Sequence, residues 1–213
     1  MRYVLERVTN PETEPVTLAQ MKTHLGEYDD VTTRDDDVTQ IIQTAREWVE
    51  DFTGRALIDQ RWRITFGDLA AVDPVLEPAC ACARSEERGE HVYLRKSPVI
   101  ALVSFVSVDA DGVETAVDSD SYELQDADSK WPRVVAKNGA TWATGLYRIV
   151  YRAGYADRDV SPAEGAEVVP ARFLQAIKLY GEAIYDRDEK MMQVLIDTAT
   201  SLIRSERVEL GFA

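Results

Sequence analysis

The 213-residue chain carries 24 Lys and Arg against 38 Asp and Glu, a formal charge of −14. Its hydrophobic share of 45 % is ordinary for a globular protein and argues against wholesale disorder. The acidity speaks against the basic footprint of a protein that grips nucleic acid or an anionic membrane, and no apolar run approaches the roughly 18 residues of a membrane span.

The length fits one compact domain, or one domain with a large insertion, and a core of that size needs no disulfides. Cys80 and Cys82 stand too close in sequence to bridge each other easily, so a reducing cytoplasmic setting is the simpler expectation. Residues 1–15 contain no apolar run of the secretory kind, so no signal peptide is expected. The charge is uneven: Glu27 to Asp59 holds ten acids and three bases, about half of the net charge.

In chain order, Thr17 and Gln20 form a capping box, with Val16 placed to staple onto Met21 and Gly26 as the stop. A second helix follows: Ile41, Ile42, Ala45, Trp48, Val49 and Phe52 recur at helical spacing as its core face, Asp35, Asp36 and Asp37 sit at its positive end, and Gly54 ends it. The period then falls to two, with Trp62, Ile64 and Phe66 as the buried side of a strand. Further strands are expected at His91–Arg95, Val99–Val108, 113–117, Tyr122–Gln125, Val134–Val135 and Tyr147–Tyr151, the second and third joined by the Asp109–Gly112 turn. Pro170 suits the first position of a third helix, and a last helix or helix pair covers about 190–206. The resulting fold class is α+β: helices at 1–55 and 161–213 that pack as a bundle, around a small antiparallel β domain at 56–160, a sandwich or barrel.

Chemistry is sparse. Cys80, Cys82 and His91 lack the spacing and the fourth ligand of a structural zinc site, and the acids at 29–30 and 35–37 lack calcium-loop offsets. With two His in the chain and no nucleophile elbow or phosphate-cradling glycine loop, the chain reads as no enzyme, with no metal and no cofactor. Trp48 and Trp62 read as core aromatics rather than base-stacking platforms, because the basic groove is missing. A structural or interaction role is what remains.

The order of motifs is more specific than any one of them. Pro15-Val16-Thr17-Leu18-Ala19 is followed by Lys22-x-His24-Leu25, an acidic loop, and the run from Ile41 through Trp48-Val49-Glu50-x-Phe52-Thr53-Gly54-Arg55 to Trp62. Then come Ser97-Pro98-Val99, the Asp109–Gly112 hairpin, Arg133-Val134-Val135, Val150-Tyr151-x-Ala153-Gly154-Tyr155 and Val169-Pro170. This succession resembles the head–tail connector (adaptor) family of tailed bacteriophages, prophages and gene transfer agents, over roughly residues 15–185. The segment 67–90 and the stretch Ile184–Glu189 depart from the family pattern.

The resemblance implies a virion protein made in the bacterial host cytoplasm and located at the neck. It implies a ring, typically of twelve copies, beneath the portal protein, a platform for the stopper or tail terminator, and a channel through which DNA passes without being held. Twelve copies at −14 would carry about −168, a wall that repels phosphate. Under this reading Asp29, Asp30, Asp35, Asp36 and Asp37 are candidates for the channel or rim, with a solvated outer face as the alternative. Leu202, Ile203, Val208, Leu210 and Phe212 are candidates for the portal-facing surface, with packing onto their own bundle as the alternative. A stopper-like protein and a metal-dependent enzyme built on the acidic clusters are the competing classes.

Overall fold

The computed structural model describes residues 3–28, 32–67, 91–137, 142, 145–155, 168–186 and 188–208. They form two compact units: a sheet unit from the described parts of 3–10 and 60–154, and a helical unit from those of 11–59 and 155–208.

The helical unit holds α1 (Leu18–Leu25), α2 (Asp35–Thr53), α3 (Ala171–Asp186) and α4 (Glu189–Ile203). The Thr17 capping box forms as the sequence predicts, with the Thr17 hydroxyl accepting from Gln20 N–H and the Gln20 side chain accepting from Thr17 N–H. Asp188 caps α4 by accepting from Lys190 N–H. Gly54 ends α2 in the left-handed region at φ 72°, which a side chain would resist. The core gathers Val16, Met21, Val38, Ile42, Ala45 and Val49 from the N-terminal part with Phe173, Ile177, Ala199 and Ile203 from α3 and α4. Gly181 lets α3 come close, since a Cβ there would lie 2.8 Å from Met21 Cε and 3.2 Å from Ile41 Cγ2. Ile41, Trp48 and Phe52 flank this core half-buried, and Trp48 stacks on Tyr180 at 4.2 Å and on Phe52 at 5.7 Å.

The sheet unit holds β1 (Tyr3–Thr9), β2 (Gln60–Gly67), β3 (His91–Tyr93), β4 (Val99–Val108), β5 (Glu114–Ala116), β6 (Tyr122–Gln125), β7 (Arg133–Ala136) and β8 (Leu146–Ala153). The described strands make two antiparallel sheets, ordered β1-β2-β8-β4-β5 and β3-β7-β6. Among the described strands, neither order returns on itself. The period-two reading of β2 holds: Trp62, Ile64 and Phe66 are buried, opposite Tyr151, Ile149 and Tyr147 of β8. At the β4–β5 turn the Asp109 carboxylate accepts from Asp111 and Val113 N–H.

One element departs from the sequence reading. The stretch 1–55, read as helical, opens on β1, whose partner β2 lies more than fifty residues away. Leu5 stands opposite Ile64 and Tyr3 opposite Phe66, so this strand exists through long-range pairing rather than a local pattern.

Candidate functional site

Two surface features and one buried network stand out in the helical unit. The first surface is the outer side of α4. Val194 is 58 % exposed, Met191 49 % and Leu202 38 %. With Thr198 they fall at i, i+3, i+7 and i+11, one stripe on the side away from buried Leu195, Ala199 and Ile203.

The helical phase of α4 thus separates two residues that the sequence reading grouped. Leu202 is on the surface, whereas Ile203 is fully buried and belongs to the core, which corrects its place among the docking candidates. Val208 is half-buried: its N–H donates to Thr53 O and its side chain lies over Gly54. Leu210 and Phe212 lie outside the described residues, as do Asp29, Asp30, Cys80 and Cys82. Among the acidic candidates, Asp35 is tied down, taking an ion pair at 2.9 Å from Lys22, a lysine buried to 2 % exposure. Asp36 and Asp37 remain exposed. They begin the second surface, the outer face of α2, which continues through Gln40, Glu47 and Asp51.

The buried network has no counterpart in the sequence reading. Arg46, 4 % exposed, donates from Nε to Glu14 at 2.8 Å and from Nη1 to Glu50 at 2.9 Å, while the other Glu50 oxygen accepts from Leu57 N–H at 2.8 Å. A second knot ties the end of the described chain: Arg55 donates to Tyr155 Oη at 3.0 Å and to Glu206 O at 3.2 Å, and Arg172 pairs with the Glu206 carboxylate. Burial works against the Arg46 charge, but the hydrogen bond it donates to Glu14 and the surrounding Glu50 and Glu47 outweigh it and raise its pKa. Burial is the main cause that raises the Glu14 carboxyl, against the Arg46 hydrogen bond that lowers it.

A raised carboxyl pKa means that the folded state binds the proton more tightly than the unfolded chain. Stability from this group therefore falls as pH rises from 4.5 through the raised value. Glu14→Gln removes that slope. In denaturant titrations at stepped pH, the stability of wild type relative to Glu14→Gln should decline across this window; a difference that grows with pH would contradict the assignment.

In the sheet unit, cations and rings alternate beside edge strand β1. Arg7 and Lys96 lie over Trp62 at 5.6 and 5.2 Å, and Arg95 lies over Tyr3 and Trp131 at 5.2 and 5.8 Å. Trp62, read from the sequence as a core aromatic, is buried to 8 % exposure and stands within this cluster. Among the described residues no group of three or more His, Cys, Asp and Glu is arranged to hold a metal ion, and no helix is long and apolar enough to cross a membrane.

No protein-family model and no curated protein sequence matches the chain. Among solved structures, the chain is similar to one in the neck of an empty gene transfer agent (GTA) particle computed with C6 symmetry, with a TM-score of 0.71 at 22 % identity over 96 % of this chain and 95 % of that one. It shares its fold with a GTA neck component. A chain in the neck of the native GTA particle computed with C12 symmetry aligns at TM-score 0.69, and one in the native GTA virion at 0.70, each at 22 % identity and over 96 % of this chain. At that coverage the GTA neck fold takes in the helical and the sheet unit alike. The α+β class read from the sequence is the class of this fold.

Proposed function

We propose that the chain is a structural head–tail connector, or adaptor, of a tailed phage or gene transfer agent particle. It forms a ring under the portal, extends the DNA channel, and gives the stopper or tail terminator its platform. The observation that carries this reading is the likeness to GTA neck chains over nearly the whole length, joined to the independent motif order of the sequence. The neck is the location that follows, and a scaffolding role rather than catalysis. The net charge of −14 per copy fits a passage that DNA must leave without adhering.

The portal-facing surface in this reading is the outer stripe of α4, Met191, Val194 and Leu202, which is apolar and exposed in the single chain. The test is co-elution of the purified protein with its cognate portal, compared with Val194→Asp/Leu202→Asp. Because both positions are exposed, the variant should keep the wild-type melting temperature and lose portal binding by about tenfold or more. Unchanged binding would reject this surface. Removing residues 205–213 is a poorer test, because it also takes Glu206 away from Arg55 and Arg172.

A further inference from the structure

Among the described residues, the five-stranded sheet is unanswered at both edges, and both edges belong to the sheet unit. β1 has β2 on one side and no strand on the other along its seven residues. At the opposite edge, β5 is three residues long and covers only Val106, Ser107 and Val108 of the ten-residue β4. Residues 100–104 of β4 pair with β8 alone. Val99 N–H, which donates to Ala127 O, and Phe105 O, which accepts from Val117 N–H, bound this stretch. An open edge is ordinarily blunted by lysine, proline or an inward charge, and residues 100–104 hold none of these. The register against β8 shifts twice here, and the two extra residues, Ile100 and Val103, are apolar and 38 % and 47 % exposed. Val8 of β1 is 42 % exposed.

We infer that these two edges pair with each other between copies: β1 of one chain adds as a strand to residues 100–104 of β4 in the next, joining neighbouring sheets into one. The inference rests on the ring proposed above and involves the sheet unit alone. Strand direction favours a second copy as the occupant. β1–β2, β2–β8 and β8–β4 are all antiparallel, so β4 runs against β1. A copy in the same orientation therefore brings an antiparallel strand to β4 and keeps the faces of the two sheets in line. The contact uses a different edge on each chain, the head-to-tail kind that closes into a ring. Charge favours it as well. Two β1 strands paired over all seven residues would set Glu6 of one copy opposite Glu6 of the other, which is destabilising, whereas the 100–104 edge is uncharged. Glu6 lies opposite Arg63, on the face that also carries Arg148 and Arg152 of β8. On that face Glu114 of β5 already reaches across β4 to Arg148. An added β1 brings Glu6 to the same face further along β4, where the small Ala101 and Ser104 stand between it and β8. An arginine offers several donors, so a partner inside the chain does not exhaust it.

The test is hydrogen–deuterium exchange, read on the free protein and on rings assembled on the cognate portal. Amides facing outward from β1 and from residues 100–104 should slow by at least about tenfold in the ring. Unchanged exchange in both stretches would overturn the pairing, and protection of one alone would overturn it by giving that edge to a strand of the portal. Two full-length variants, Val8→Lys and Val103→Lys, separate the modes of contact. Both positions are exposed, so melting temperatures should match wild type. Each lysine spoils one edge, and each variant should give rings at least about tenfold less often by electron microscopy, because the cost recurs at every contact. Normal rings from either folded variant would contradict the pairing of the two edges; loss in Val8→Lys alone would show β1 meeting its own copy. Should a variant fail to fold, the exchange measurement on wild type still decides. A wild type that forms no ring on the portal would instead reject the function itself, before exchange is compared.

Discussion

Replacing Glu50 by Ala is expected to destabilise the helical unit by about 3–5 kcal/mol, the cost of breaking a buried ion pair from one side. Glu50 is 4 % exposed and answers two donors at once, the Arg46 guanidinium and the backbone N–H of Leu57. Its removal leaves a buried guanidinium with Glu14 as its close partner and leaves the Leu57 N–H without its acceptor. Glu47→Ala is the matched control on the same helix, because Glu47 is exposed and reaches Arg46 only at 3.6 Å. It should shift stability by no more than about 0.5 kcal/mol. Urea titration followed by helical circular dichroism measures both. A Glu50→Ala loss as small as that of the control would show that the network contributes little.

In the sheet unit, Gly67→Ala should cost about 3 kcal/mol or more, through backbone strain and overpacking together. Gly67 ends β2 at φ 109°, and a Cβ there would sit 2.0 Å from Gly145 O and 3.1 Å from its carbonyl carbon. The obstacle is backbone, so no rotamer change relieves it. The strand pair must part at the Gly67–Leu146 end, and amide exchange should accelerate there first. Gly112→Ala makes the comparison sharp, since Gly112 is also at positive φ but has nothing within 4 Å of a Cβ. It should cost only the conformational part, about 1 kcal/mol. Equal losses at the two positions would contradict the close approach at Gly67.

The elements that could be read from the sequence are those with a local cause. α2 has a single apolar phase and a glycine stop, β2 alternates, and the Asp109 turn closes its own hydrogen bonds. β1 has no such cause: its Val4, Leu5 and Val8 do not alternate, and it is a strand because β2 offers an edge. The ionic network is hidden for a related reason. Glu14 and Arg46 are 32 residues apart, and no spacing rule brings them together. A partial signal is present, because Ile42, Arg46 and Glu50 follow one another at i, i+4, i+8 and so place two charges in the buried phase of α2. The same phase argument distinguishes Ile203, in line with Leu195 and Ala199, from its exposed neighbour Leu202. Lys22 and Asp35 likewise read as surface charges on separate helices until α1 and α2 pack together and bury the lysine.

The role in the particle is tested most directly by electron microscopy of the purified protein mixed with its cognate portal. The account predicts a closed ring of this chain, coaxial with the portal and seated on its tail-facing side, with an open passage at the centre. Portal particles that remain bare in the presence of folded, concentrated protein would contradict it.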